Sequence, residues 1–273
     1  MRMHTDSDSP RVAEQASERP PALLLSGVSV AFESHRTPAA TLKEHLIRWT
    51  KRDLEKKSVR ALDGLDLRVD RGEVFGIVGR NGAGKSTLLR VISGILHPSR
   101  GRVRVWGKVT PLLGVGAGFH GDLTGRENIA LYSAILGRSP ERTRELVDDI
   151  IRFSELADFI DAPLRVYSAG MSARLGFAVA LAESPEVLLV DEVLGVGDEQ
   201  FRRKCRDRFE EIRKAGATIV IVTHSMSVAK EMCDRLAWIE NGKVRECGTS
   251  EEVAASYVEF QKAVRSASTI RPR

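Results

Sequence analysis

The nine residues GRNGAGKST, at positions 79–87, decide how this chain is read. They match the pattern G-x-x-x-x-G-K-[ST] at every fixed position. An apolar run, VFGIV at 74–78, precedes them as a short strand, and Leu88, Leu89 and Ile92 follow at helical spacing. A strand, a glycine turn and a helix start in that order aim backbone N–H groups at one concave point, which only small residues such as Gly82 and Gly84 permit. A nucleotide triphosphate, dense in negative oxygens, suits such a cradle. The nucleotide-binding candidates are Gly79, Arg80, Asn81, Gly82, Ala83, Gly84, Lys85, Ser86 and Thr87. Lys85 supplies a full positive charge to the β and γ phosphates, and Ser86 offers a hydroxyl to Mg²⁺.

About a hundred residues downstream, VLLVDE at 187–192 is a buried-type strand that ends in two acids. Charged groups at the carboxyl end of a strand sit where parallel α/β sheets bind ligands, so Asp191 is the second candidate for Mg²⁺. Glu192 points the other way on the pleat and is the candidate base for the water that attacks the γ phosphate. From residue 170 onward, helical and strand patterns alternate: helix at 170–183, strand at 187–190, helix at 199–214, strand at 218–222, helix at 227–232. That alternation predicts an α/β fold with a parallel core sheet and helices on its faces.

Working toward the N-terminus, LLLSGVSVAF at 23–32 reads as a strand, and alternation through Leu62, Leu65, Leu67 and Val69 predicts a second. Between them TLKEHLIRWTKRDLEKK at 41–57 spaces Leu42, Leu46, Ile47, Trp49 and Leu54 as an amphipathic helix among basic residues. The basic excess also suits an ordinary solvated face. Residues 124–164 turn helical, with Ile129, Leu131 and Ile135, then Leu146, Val147, Ile150 and Ile151.

The chain has 273 residues, 42% apolar and 29% charged, enough for a full core. Its apolar stretches are strand-sized and fall short of the roughly 20 residues a membrane helix needs. The first twenty residues lack the apolar core of a secretory signal, which points to the cytoplasm. Cys205, Cys233 and Cys247 are odd in number and too far apart for zinc-ligand pairs, so they read as inert thiols in a reducing compartment. A net charge of +5 permits contact with nucleic acid, anionic lipid or acidic nucleotide and selects none of them.

Two further motifs narrow the class: YSAGM at 167–171 and THS at 223–225. Together with the phosphate loop and the two acids they resemble the ABC ATPases. The resemblance implies a P-loop ABC ATPase with a mixed or parallel core sheet, an antiparallel β lobe and a helical subdomain, using ATP and Mg²⁺. Ser168, Ala169, Gly170 and Met171 then form the signature that contacts the ATP of the opposite subunit, with Ser168 capping a helix. His224 takes the place of the switch histidine, catalytic with Glu192. Asp198, in GVGD, matches the acid of the loop between the two sites. Phe32 sits where an aromatic stacks on adenine, although a core phenylalanine is an alternative reading. The family's usual glutamine between residues 107 and 127 is missing.

PLLGVGAGFHGDLTGRENI at 111–129, YSAGMSARLGFA and the basic insert look like the ATPases of bacterial exporters of O-antigen, teichoic acid or cell-wall galactan. This implies a homodimer bound to a polytopic membrane permease at the cytoplasmic face of the inner membrane, peripheral, with no nucleic-acid partner. An importer motor, or a soluble ABC ATPase acting on ribosomes or DNA, is the alternative. The expected organisation is a disordered segment at 1–21, an ATPase domain at 22–258 and a polar tail at 259–273. The domain would contain a basic amphipathic insert at 33–58 and a helical subdomain at 124–183.

Overall fold

A computed structural model describes residues 20–34, 57–114, 116, 118–191 and 198–269. Two long strands, β1 (Pro21–Ser34) and β2 (Lys57–Asp70), pair antiparallel from Pro21 opposite Asp70 to Ser34 opposite Lys57. The expected insert is therefore trimmed at both ends, where its outer residues join these strands. Its core at residues 35–56, like residues 1–19, lies outside the described residues.

In β1, Leu23 and Leu25 are buried and so are Val28 and Val30, which is alternation with one slip of phase. A register shift between Leu25 and Val28 absorbs the slip. Gly27 takes it up at φ 59°, and its N–H, turned away from the ladder, is received by Asp66 Oδ1 at 2.7 Å. Both halves of the strand thus bury their apolar side chains on one face.

Next come β3 (Val74–Val78), α1 (Lys85–Ile92) and β4 (Arg100–Val105), the last pairing with β1 to complete a three-stranded sheet ordered β2-β1-β4. The remaining strands are β5 (Val109–Leu112), β6 (Val187–Asp191), β7 (Thr218–Val222), β8 (Arg235–Glu240) and β9 (Lys243–Thr249). They join β3 in a six-stranded sheet, β5-β6-β7-β3-β8-β9, parallel except at the β9 edge. The interior strands are apolar at nearly every position because both faces are covered. Phe75, Ile77, Leu189 and Val220 enter a core shared with the antiparallel lobe and α1, while Val74, Val190, Ile219 and Ile221 face the helical layer.

That layer contains α2 (Gly125–Ile135), α3 (Pro140–Ser154), α4 (Ala169–Ala180) and α5 (Glu199–Lys214). Phe177 of α4 lies 6.2 Å from Phe153 of α3 and 6.1 Å from each of Phe201 and Phe209 of α5, an aromatic knot joining three helices. A short α6 (Met226–Met232) follows β7.

The polar tail expected from residue 259 is instead helical as far as Thr269, in α7 (Ser250–Thr269). Tyr257 and Phe260, one turn apart, pack on Trp238 of β8 at 5.2 and 4.9 Å, and Arg245 stacks over both Trp238 and Phe260. This tertiary contact holds a helix whose polar end shows no strong pattern of its own. Cys205 and Cys233 are buried, and burial pushes both thiols up to about 12, which keeps them protonated and inert.

Gly76 of β3 has no room for a side chain. A Cβ there would stand 2.8 Å from Cys233 Sγ and closer still to the Leu236 side chain. Gly76→Ala is expected to lower stability by about 1–3 kcal/mol through overpacking. Urea unfolding monitored by circular dichroism checks this, and an unchanged midpoint would show that the β3–β8 packing gives way freely.

Candidate functional site

The phosphate loop lies between the end of β3 and α1. Gly84, at φ 106°, caps α1 without any side-chain hydrogen bond, so no capping side chain stands over the first turn of the helix. A Cβ on it would approach Leu62 Cδ2 to 3.0 Å and the Ala61 carbonyl more closely still. Lys85 is buried and turns back across the loop, its Nζ donating to the carbonyls of Gly79 at 2.8 Å and Arg80 at 3.1 Å. The β8–β9 turn braces the loop from below. Gly242 N–H donates to Ala83 O at 3.0 Å, and Asp63 N–H donates to Gly242 O at 3.0 Å.

A cavity of about 590 Å³ opens over this loop, lined by Asn81, Gly82, Gly84, Lys85, Ser86, Thr87, Asp191 and His224, with Ala61, Gly114 and Val222 completing the wall. Strand order explains the gathering. β7 lies between β6 and β3, all three parallel, and Asp191 pairs in register with Val222. The carboxyl ends of the three strands therefore deliver Asp191, His224 and the phosphate loop to one edge. Ser225 N–H donates to Thr223 Oγ1 at 3.0 Å, which shapes the turn carrying His224.

Among the loop candidates, Gly79, Arg80 and Ala83 shape the backbone and do not line the cavity. Phe32 is not a core residue. It is 43% exposed on β1 opposite exposed Val59, two positions along β2 from Ala61 of the cavity wall. Glu192 lies outside the described residues. Where the family's glutamine is missing, the wall is made by Gly114, which brings no side chain. The loop beyond it is tied to α2 by fully buried Asn128, a residue that sequence reasoning passed over. Its Oδ1 accepts from His120 N–H at 2.8 Å, and its Nδ2 donates to the carbonyls of His120, Leu123 and Thr124 at 3.0, 3.1 and 2.9 Å.

A second cavity, of about 530 Å³, holds the other candidates. Ser168, Gly170, Met171 and Asp198 line it together with Glu155, Leu156, Phe159 and Arg174. Ser168 caps α4, its Oγ accepting from Met171 N–H at 3.1 Å, while Ala169 is exposed in the first turn. At the opposite end of α4, Arg138 and Arg208 donate to the carbonyls of Val179, Ala180 and Leu181, complementing the negative end of the helix. Asp198 caps α5 by accepting from Phe201 N–H at 2.9 Å. That bond, with the charge of Arg174 beside it, holds the carboxyl below its ordinary range. The two cavities share no lining residue: the phosphate loop lines one and the signature the other.

A sequence profile of the ABC transporter family matches residues 62–195. The chain is 44% identical over 204 residues to an O-antigen export system ATP-binding protein of Klebsiella pneumoniae, covering 75% of this chain and 83% of that protein. A Myxococcus xanthus protein of the same description is 43% identical over 243 residues, 87% of this chain but 56% of that relative's length. The teichoic acids export ATP-binding protein of Staphylococcus epidermidis is 38% identical, covering 89% of this chain and 90% of its own. The fold is shared with a dimeric ATP-binding cassette in a post-hydrolysis state, bound to ADP and Pi, at a TM-score of 0.66 and 22% identity, over 84% of this chain and 98% of that one. Motifs, strand order and relatives agree, and the chain belongs to the ABC transporter family, as one of its ATP-binding subunits.

Proposed function

We propose that this chain is the ATP-hydrolysing half of an exporter that carries a lipid-linked polysaccharide across the cytoplasmic membrane, two copies working beneath a polytopic permease. The observation that carries the mechanism is the division of the site. One cavity has the phosphate loop and lacks the signature, and the other has the reverse. Two copies facing each other in opposite directions complete both sites, each nucleotide lying between Lys85 of one copy and Ser168 and Gly170 of the other. The cargo class is supported by relatives at 38–44% identity named for export of O-antigen or teichoic acids.

In this reading Lys85 and the loop amides bind the phosphates, and exposed Phe32 offers a face for the adenine. Glu192 takes the proton of the attacking water, and His224 contacts the γ phosphate. The donors fit a hard divalent cation, since the Ser86 hydroxyl and the Asp191 carboxylate line the same cavity. Bound with the nucleotide, Mg²⁺ would neutralise charge on the β and γ phosphates. The open amides of the first turn of α4, capped by Ser168, suit the terminal phosphate held by the partner copy. With no glutamine side chain beside Gly114, contact with the permease is assigned instead to the basic insert and the Asn128-tied loop.

Among the described residues no helix is long and apolar enough to cross a membrane. Co-purification from detergent-solubilised membranes is the test. Recovery with a polytopic permease is expected, and recovery with ribosomes or DNA in its place would overturn the reading. Deleting residues 39–56, which stops short of β2, should leave basal hydrolysis within about twofold and abolish surface glycan in an export assay. Loss of hydrolysis in the isolated deletion protein would assign the insert to the fold.

A further inference from the structure

The edge strand β4, with the residue that follows it, reads RGRVRVW at 100–106. Val103 and Val105 pack against the core of the antiparallel lobe, so the alternate residues Arg100, Arg102 and Arg104 stand exposed on the outer face of the sheet. Trp106 continues the alternation. Its N–H donates to Ala22 O at 2.9 Å, which keeps it on the ladder, and among the described residues its half-buried side chain joins neither hydrophobic core. Arg104 lies opposite Leu24 of β1, itself half-buried, and Leu24 lies opposite Arg68 of β2. Three guanidinia and an indole therefore follow one line about 20 Å long, with successive members about 7 Å apart.

What sets this line apart is its lack of acids. Among the described residues none of the three guanidinia meets a carboxylate. On α3, by contrast, Arg142, Arg144 and Arg152 each pair with an acid one turn away. The acids of β2 are engaged elsewhere: Asp63 with Arg60 and Lys243, Asp66 with the Gly27 N–H, and Asp70 with Arg68. Guarding a strand edge against stray pairing needs charge of either sign and is served as well by a mixture. Like charges about 7 Å apart lie within one Debye length, about 10 Å at 0.1 M salt, and repel one another. A surface of phosphates turns that cost into attraction.

We propose that this outer face of β4 docks on anionic phospholipid headgroups, the arginines pairing with lipid phosphates and Trp106 entering the headgroup layer. Nucleic acid fits less well, because a single strand is held along a charged groove and this line crosses the flat outside of a sheet. The inference rests on the proposed place beneath a membrane permease, which holds the lobe beside a bilayer, and it adds a lipid contact made by the ATPase itself.

The test is sedimentation of the full chain with permease-free vesicles, of phosphatidylcholine alone or mixed with phosphatidylglycerol. Binding to the mixed vesicles only is expected, falling as salt is raised. Arg100→Gln, Arg102→Gln and Arg104→Gln together should lower the partition coefficient on the order of 100-fold, about fivefold for each arginine, with ATP affinity within about twofold of the parent. Lys214→Gln, Lys230→Gln and Lys262→Gln, exposed on α5, α6 and α7, remove the same charge and should cost less than about fivefold. Trp106→Ala should weaken binding and keep its salt dependence, whereas the arginine variant flattens it. Equal losses in the two triple variants would reduce the binding to net charge and overturn the proposal. Capture of duplex DNA or RNA through the same arginines, without vesicle binding, would overturn it as well. A parent that ignores anionic vesicles yet co-purifies with a permease would remove the lipid contact and leave the transport reading standing, whereas recovery with ribosomes or DNA would remove both.

Discussion

Lys85→Ala is expected to weaken ATP binding by about 10- to 100-fold and to abolish hydrolysis, because a charge-assisted hydrogen bond to phosphate is worth roughly 1.5–3 kcal/mol. The structure adds a second consequence. Lys85 Nζ holds the carbonyls of Gly79 and Arg80, so alanine removes the internal strut of the loop as well as the charge offered to the phosphates. Isothermal titration with ATP and Mg²⁺ reads the first effect, and urea unfolding without nucleotide reads the second. A titration giving the wild-type affinity would show that the loop amides alone hold the triphosphate and would remove Lys85 from the site.

Glu192→Gln is expected to cut turnover by about 10²- to 10⁴-fold while sparing ATP binding, since the amide keeps the size of the acid and loses its basicity. With hydrolysis blocked, the nucleotide-bound pair has no route back to separate copies and should accumulate as a dimer in size-exclusion chromatography. The assignment comes from Glu192 following Asp191 directly in the sequence, at the end of a strand that the fold aims at the phosphate loop. A variant that hydrolyses ATP at the normal rate would exclude Glu192 as the base. One that is inactive yet monomeric with ATP would set the divided site against the paired mechanism.

Much of this architecture is legible before any coordinates. TIVIV and VLLVD are buried at almost every position because a parallel strand covered on both faces must be apolar throughout, and such runs stand out in a sequence. The cap of α4, Ser168, was also readable, because capping is a matter of one side chain and an amide three residues on. The β8–β9 hairpin escaped notice. β9 is half-exposed and carries Lys243, Arg245 and Glu246, and its register slips between Trp238 and Ile239. The end of α7 was misread for a related reason, since what holds it is an aromatic surface on a strand that precedes it, not a pattern within the helix.

What residue order alone determined is the chemistry of short reach. A glycine where φ must be positive, a lysine one position later and acids at a strand's end are requirements met within a few residues, and they can be read from spacing. Only the tertiary structure decided which of these groups meet. The insertion of β7 between β6 and β3 brings Asp191, His224 and Lys85 to one cavity, and the packing of α3, α4 and α5 around their phenylalanines puts Ser168, Arg174 and Asp198 in another. Burial of apolar surface drives both arrangements, and because that force has no direction, which distant segments end up side by side is set by how the whole core closes rather than by any local motif.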